Sequence, residues 1–250
     1  MCYSVAYLER KQSRLIERYK NLLPPEWKDL SHPKKMDELP AYYFISAFVH
    51  PDLPIITGEG IRLMEWGLIP FWVKGEEKAA KIRKGTLNAV GETIFTKPSF
   101  RGIIRSRRGI LPISGFFEWR DHQGKKYPYF IRLKDQGLFS LACVYDSWTN
   151  RQSGEIIDSF SLITTPANPM MEVVHNRKKR MPLILPLEKE KEWIDNQLDE
   201  QEILQLIQPF DAGRMEAYPV SRRLNYAGND RNTPEAIREH NYPELPVIQS

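Results

Sequence analysis

The chain has 250 residues and carries 36 basic and 32 acidic side chains, a formal charge of +4. Hydrophobic residues make up 41% and charged residues 27%, which excludes collagens, disordered chains and disulfide scaffolds. No run approaches the roughly 20 apolar residues that cross a bilayer, and the N-terminal segment lacks the pattern of a secretory signal. Since Cys2 and Cys143 are the only cysteines, we expect a cytoplasmic protein without membrane contacts.

Two segments have the spacing of amphipathic helices. The first runs from Lys11 to Leu23, where apolar residues recur at helical spacing until Pro24 ends the pattern. The second runs from about Leu187 to Ile207, with Trp193 on its expected buried face.

Short runs rich in β-branched and aromatic residues predict strands. They are Tyr42–Phe48, Ile55–Thr57, Ile61–Ile69, Gly109–Trp119, Tyr129–Leu133, Leu138–Tyr145, Phe160–Thr165 and Leu183–Leu185. Asp121–Gly124 predicts a hairpin turn. Many short strands favour an α+β fold with a curved, mostly antiparallel, barrel-like core and peripheral helices. We predict one domain over residues 1–250, with an extended C-terminal tail from about residue 225.

Most familiar cofactor and catalytic motifs are absent from the sequence. It contains no P-loop, no complete dinucleotide fingerprint, no C-x-x-C, no H-E-x-x-H and no G-x-S-x-G. We therefore expect no cofactor and no metal site.

Cys2 is the unusual chemical feature, because removal of Met1 would leave it as the N-terminal residue. Its α-amine, with an ordinary pKa near 8, would be partly unprotonated at neutral pH. Such an amine can form a Schiff base with an aldehyde, and the neighbouring thiol can close onto the same carbon to give a thiazolidine. Taken alone, Cys2 is better explained by chance at the second position.

Three further residues have chemistry that would suit such a reaction. Glu118 lies among aromatic residues at the end of an apolar strand, where burial should raise the carboxyl pKa toward the range useful for proton transfer. His175 and Asn88 stand in polar segments next to apolar runs. Each also has an ordinary structural interpretation: a salt-bridged strand residue, a surface histidine and a turn former.

Two runs concentrate positive charge, Arg101–Arg108 and Arg177–Arg180. Either can bind nucleic acid or form a solvated loop. Among the other residues, Trp72 is expected to be exposed and able to stack on bases, whereas Trp66 and Cys143 are expected in the core.

The sequence resembles the SOS-response-associated peptidase (SRAP) family, whose members process abasic sites in DNA. The resemblance covers nearly the whole chain and rests on several segments in fixed order. These are Met1-Cys2, Trp66–Pro70 with Trp72, Asn88-Ala89 with Glu92-Thr93, Gly115–Trp119, Thr164-Thr165 with Asn168, His175, Arg180–Pro182 and Pro219–Ser221.

The resemblance implies a covalent sensor that binds single-stranded DNA and traps the aldehyde of an abasic site. Cys2 would be the nucleophile and Glu118 the general acid and base. His175 would assist proton transfer at the sugar, and Asn88 would orient the cysteine and the sugar. Release of Met1 by an autopeptidase activity and weak β-lyase activity are also implied.

The expected partner is single-stranded DNA that contains abasic sites, bound by a monomer in the cytoplasm that associates with the nucleoid when on DNA. The residues predicted to contact this DNA are Trp72, Arg101, Arg105, Arg107, Arg108, Arg177, Lys178, Lys179, Arg180, Ser221 and Arg222.

The chain departs from the family pattern at three places. Ser4 and Val90 stand where members commonly have arginine, and each missing guanidinium removes a possible phosphate contact. Residues 176–179 separate His175 from Arg180 and add three cations. Two alternative functions therefore remain open, a cysteine peptidase that uses Cys2 and His175, and a non-covalent binder of single-stranded DNA.

Overall fold

β-Strands form most of the regular structure. The computed structural model describes residues 2–25, 39, 41–135 and 137–248. The strands in these ranges are β1 Ser4–Tyr7, β2 Tyr42–Ser46, β3 Asp52–Thr57, β4 Gly60–Trp66, β5 Asn88–Val90, β6 Arg108–Ile113, β7 Gly115–His122, β8 Lys125–Leu133, β9 Phe139–Thr149, β10 Ile156–Pro166, β11 Arg180–Pro182, β12 Ile184–Leu185 and β13 Met215–Pro219. Each predicted strand is confirmed, whereas β1, β5, β11 and β13 were not predicted.

The helices are short and peripheral. They are α1 Gln12–Tyr19, α2 Glu76–Arg83, α3 Pro169–Val174, α4 Glu190–Ile194 and α5 Glu200–Leu206. No helix in the described ranges is long and apolar enough to span a membrane.

Both helical segments are shorter in the structure than the sequence predicts. α1 ends at Tyr19, and the chain continues as a turn in which Leu22 N donates to Tyr19 O at 2.9 Å. The prediction of one helix from Leu187 to Ile207 is wrong, because α4 and α5 are separate. Asp199 starts α5 by a capping box with Glu202, which fixes a new helix N-terminus inside the periodic pattern.

One set of strands closes on itself. β10 pairs with β4 in parallel, and β4–β3, β3–β6, β6–β9 and β9–β10 pair antiparallel, so that these strands form a barrel. The second sheet has the antiparallel order β13-β8-β7-β1-β2. The predicted curved, mostly antiparallel α+β core with peripheral helices is therefore confirmed.

Ser114 is where the chain passes from the barrel to the second sheet. The predicted strand Gly109–Trp119 is divided here into β6 and β7. Ser114 N donates to Ala6 O at 2.8 Å, and Ser114 Oγ accepts from Leu8 N at 3.2 Å. Gly115 allows the crossing, because a Cβ there would lie 2.1 Å from the Phe130 ring.

The β7–β8 hairpin has the predicted turn. His122 pairs with Lys125, which leaves Gln123 and Gly124 as a two-residue loop. Both residues have positive φ, 50° and 73°, as a type I′ turn requires. This hairpin carries Glu118.

The core lies inside the barrel and between the two sheets. Trp66 and Cys143 are fully buried, as predicted from the sequence. The chain after residue 225 lies on the second sheet: Tyr242 packs edge-on against Tyr127, and Pro246 O accepts a hydrogen bond from Arg120 at 2.8 Å. The division of the chain into one domain stays a prediction.

Candidate active site

The pairing of β1 with β7 sets the position of Cys2 relative to Glu118. Val5 pairs with Phe116 and Ala6 with Gly115, so continuing this register places Tyr3 opposite Glu118. Cys2 is fully buried, and its thiol donates to Ser4 O at 3.7 Å. The Glu118 carboxylate lies close enough to raise the pKa of the Cys2 thiol further, after the larger effect of burial.

Asn88 holds the backbone of Cys2. β5 lies parallel to β10, with Asn88 opposite Leu162. Asn88 Nδ2 donates to Cys2 O at 2.9 Å. Asn88 Oδ1 is buried and accepts no hydrogen bond from the residues that the structure describes. This side chain therefore bonds to the backbone of Cys2 through its amide nitrogen, and its oxygen has no donor among the described residues.

His175 reaches the cluster from the C-terminal end of α3. Asn168 caps the other end of this helix, where its side chain accepts from Met171 N at 2.9 Å. His175 Nδ1 lies 2.8 Å from Arg180 O and 3.8 Å from Glu118 Oε1. Because a carbonyl oxygen only accepts, Nδ1 carries the proton and Nε2 keeps its lone pair.

Burial determines the protonation of this cluster. It raises the pKa of Glu118 to about 7 and lowers the pKa of His175 to about 4. Burial also raises the pKa of the Cys2 thiol well above its ordinary value. At neutral pH the cluster therefore holds a thiol, a neutral imidazole and a carboxyl group that can both give and take a proton.

The structure thus brings together Cys2, Asn88, Glu118 and His175, which come from four distant parts of the sequence. Among the described residues, no group of three His, Cys, Asp or Glu side chains is arranged to hold a metal ion. The arrangement suits proton transfer around Cys2.

The prediction that Arg108 contacts DNA is corrected. Its side chain is 1% exposed, and its guanidinium donates to Trp193 O, Ile104 O and Arg105 O at 2.7 Å each. It also donates to Asp195 O. Four of its five N–H donors are therefore taken by buried backbone carbonyls, and Arg108 joins α4 to the barrel.

The other arginines of that run differ in exposure and in partners. Arg105 pairs with Glu200 at 2.6 Å, and Arg107 pairs with the buried carboxylate of Asp146. Arg101 lies in a groove of about 430 Å³ with Phe71 and Trp72. Trp72 is 47% exposed, in agreement with the sequence prediction.

The second basic run surrounds the end of α3. Arg177 pairs with Asp121 at 2.8 Å and Lys179 with Glu172 at 3.6 Å. Arg180 donates to Glu92 Oε2 at 2.8 Å and to Thr164 O at 2.7 Å. Lys178 is exposed.

Ser221 and Arg222 have local structural partners. The Ser221 hydroxyl accepts from Arg223 N at 3.3 Å at the start of a 3₁₀ turn. The Arg222 guanidinium lies 5.4 Å from the centre of the Tyr127 ring, and Arg222 N donates to Tyr242 Oη at 2.8 Å. Contact of either residue with DNA stays a prediction.

Two exposed aromatic residues were missed by the sequence analysis. Phe48 is 64% exposed and its ring centre lies 5.0 Å from that of Tyr3, the residue after Cys2. Phe71 is 62% exposed beside Trp72. Phe48 lies at the end of a predicted strand, where its apolar character indicated burial, so the sequence held no signal for its exposure.

Comparisons with known proteins identify the family of the chain. The family model described as SOS response associated peptidase (SRAP) matches residues 1–227. The chain is 41% identical over 206 residues to the abasic site processing protein YoqW of Bacillus subtilis (strain 168), covering 79% of this chain and 88% of that protein. It is 30% identical over 195 residues to the abasic site processing protein HMCES of Gallus gallus, covering 70% of this chain and 56% of that protein.

Solved structures share the fold. A protein from Bacteroides thetaiotaomicron superposes with a TM-score of 0.85 at 38% identity, covering 96% of this chain and 100% of that one. The family match over most of the chain and the identity to YoqW agree with the motifs around Cys2, Asn88, Glu118 and His175, and the chain belongs to the SOS response associated peptidase (SRAP) family.

Proposed function

We propose that this protein is a covalent sensor of abasic sites in single-stranded DNA. The observation that carries the proposal is the buried cluster of Cys2, Asn88, Glu118 and His175, with Asn88 bonded to Cys2 O and Glu118 3.8 Å from His175. The names of the relatives, abasic site processing proteins, agree with this substrate. Removal of Met1, which the reaction needs, concerns a residue outside the described ranges.

The reaction follows from the two nucleophilic atoms of an N-terminal cysteine. The α-amine of Cys2 adds to the aldehyde carbon C1′ of the ring-opened sugar, and Glu118 in its acid form protonates the oxygen that leaves as water. The thiol of Cys2 then adds to the resulting iminium carbon and its proton passes to the Glu118 carboxylate. One thiazolidine ring and one water are formed.

The protonation states favour this chemistry over a cysteine peptidase. A peptidase needs a thiolate beside a protonated histidine. Here burial raises the pKa of Cys2 and lowers the pKa of His175, and both shifts oppose that ion pair. A thiol that adds to an iminium gives up its proton during the step and needs no preformed thiolate.

The proposal includes two further activities. The iminium at C1′ acidifies the hydrogens at C2′, so weak β-elimination by a neighbouring base such as His175 Nε2 would cleave the strand. Release of Met1 would be an autopeptidase event. We propose that the protein acts as a monomer in the cytoplasm, where it associates with nucleoid DNA.

Exposed aromatic and basic side chains provide a path for the strand. Phe71, Trp72 and Arg101 share one groove, and aromatic faces stack on any base. Phe48 presents a second exposed ring beside Tyr3, next to the nucleophile.

A denaturing gel tests the proposal. Mixing the protein with single-stranded DNA that carries one abasic site should give a band of reduced mobility that survives boiling. Cys2→Ala should abolish this band, while borohydride should still trap a Schiff base on its α-amine. Equal bands from the wild type and Cys2→Ala without reductant would exclude a role for the thiol.

A further inference from the structure

The segment that separates His175 from Arg180 has a fixed conformation. Asn176 Nδ2 donates to Asp121 O at 2.7 Å, and Asn176 Oδ1 accepts from Asp121 N at 3.1 Å. Lys179 N donates to His175 O at 2.8 Å, and Lys179 takes a left-handed conformation with φ of 48°. The first two bonds fix Asn176 against the β7–β8 hairpin, and the third closes the segment back onto His175 at the end of α3.

The three cations of this segment and the adjacent Arg180 are not equivalent. Arg177, Lys179 and Arg180 each pair with a carboxylate, from Asp121, Glu172 and Glu92 respectively. Lys178 makes no ion pair with any residue in the described part of the chain, and its side chain is exposed. Its ammonium group therefore stays available to an external anion.

Lys178 lies three residues after His175, in the segment that Asn176 bonds to the hairpin carrying Glu118. Its positive charge lowers the pKa of both Glu118 and His175, although burial has the larger effect on each. Among the residues that the structure describes, the other titratable groups that face Glu118 are Cys2 and Tyr3, which precede β1, and His175 from the end of α3. Lys178 is a solvent-exposed cation. Its positive charge would attract an anion that binds beside the cluster.

We infer that Lys178 binds the DNA phosphate next to the abasic sugar and so positions that sugar over Cys2. A sugar whose C1′ is bonded to Cys2 carries a phosphate on either side, within one nucleotide of the cluster. Ser4 and Val90, which lie near Cys2 and Asn88 in the sequence, cannot supply a cation. This inference rests on the proposed function. It assigns to Lys178 alone the phosphate contact that the sequence analysis predicted for the basic run Arg177–Arg180 as a whole.

Salt dependence of binding to an intact single strand tests the phosphate contact without any covalent chemistry. Lys178→Ala should flatten the slope of log K against log salt by about 0.7, the value for one phosphate contact. Lys178→Arg should keep the wild-type slope. Lys191→Ala removes an exposed lysine from α4 and serves as the charge-matched control, with no change in slope.

Crosslinking at subsaturating protein tests the positioning role. Lys178→Ala should slow the reaction about tenfold, in the range for loss of one charge-assisted hydrogen bond, and Lys178→Arg should restore it. The inflection of the pH–rate profile should move to higher pH in Lys178→Ala, because a cation that favours the Glu118 carboxylate is lost. A purely structural residue would not move that inflection.

Two results would overturn the inference. One is an unchanged salt slope in Lys178→Ala while the wild type crosslinks normally. The other is an equal flattening in Arg177→Ala or Lys179→Ala, which would make the segment a diffuse basic patch. If the wild type forms no crosslink at all, the proposed function fails, and the salt slopes on intact strands still decide whether Lys178 contacts a phosphate.

Discussion

Glu118 Oε1 lies 3.8 Å from His175 Nδ1, and burial moves the pKa values of these two groups in opposite directions, to about 7 and about 4. Two neighbouring groups thereby have separate tasks at neutral pH. The carboxyl group exchanges protons, and the imidazole remains neutral with its proton on Nδ1. The first two predictions depend on this separation.

The first prediction concerns stability. Between about pH 4.5 and pH 7, folded Glu118 keeps a proton that the unfolded chain releases, so the free energy of unfolding falls as the pH rises. Glutamine does not titrate, so in Glu118→Gln the free energy of unfolding should not fall for this reason as the pH rises. The variant should gain stability relative to the wild type by about 3 kcal/mol between pH 4.5 and pH 8, at about 1.4 kcal/mol per pKa unit.

Urea unfolding at a series of pH values measures this difference. His175→Asn is the matched control with opposite sign: unfolded histidine binds a proton that the folded form does not between about pH 4 and pH 6.5. The wild type should therefore lose stability relative to His175→Asn as the pH falls through that window. A stability difference between Glu118→Gln and the wild type that does not vary with pH would show that the pKa of Glu118 is not raised.

The second prediction concerns the rate of the covalent step. Glu118→Gln and His175→Ala should each slow formation or reversal of the crosslink by roughly 10²-fold, the lower end for positioned acid–base catalysis. Glu118→Gln should also remove the inflection near pH 7 from the pH–rate profile. Single-turnover time courses on denaturing gels provide the rates, and thermal melts exclude unfolding. Wild-type rates in folded variants would mean that the acid and base are wrongly assigned.

The third prediction separates Arg108 from the DNA-binding arginines. Arg108→Met leaves buried carbonyl groups without donors, so it should destabilise the fold by about 3 kcal/mol, the scale for breaking a buried charged network. In the folded variant, the salt slope of single-strand binding should match the wild type. Arg101→Ala should leave the stability unchanged. Its slope of log K against log salt for single-strand binding should be flatter by about 0.7. A flatter salt slope in Arg108→Met than in the wild type would show that Arg108 does contact DNA.

The fourth prediction concerns the aromatic groove. Trp72→Ala should weaken binding to an intact single strand by about 1–3 kcal/mol, the range for one base stacked on an aromatic ring. Trp72→Tyr keeps an aromatic face and should retain most of the affinity. Fluorescence anisotropy with a labelled oligonucleotide measures both. Equal affinity of Trp72→Ala and the wild type would show that the DNA strand does not bind in this groove.

Local patterns in the sequence predicted much of the fold. The alternation and β-branched composition of the strands, and the positive φ of Gln123 and Gly124, are properties of short segments. The division of one apolar run at Ser114 was not predictable, because it depends on bonds to Ala6 and Leu8, more than 100 residues away. The break between α4 and α5 had a local signal, the capping box at Asp199, within a periodic pattern that concealed it.

The candidate site was predictable as a set of residues but not as a geometry. Family motifs identified Cys2, Asn88, Glu118 and His175 together. The direction in which burial moves each pKa depends on packing between strands that are distant in sequence. In the same way, nothing in the basic run distinguishes Arg108, which is buried, from Arg101, which lies in a groove, because both have the same local composition.

The covalent bond to Cys2 is the central claim, and mass spectrometry of the nuclease-digested crosslink tests it most directly. The N-terminal peptide, lacking Met1 and beginning at Cys2, should carry the abasic residue with a mass equal to the sum of the two minus one water. A variant with extra residues before Cys2 that are not removed should form no such adduct, since its α-amine is blocked. An adduct on a lysine, or full crosslinking by the extended variant, would contradict the account.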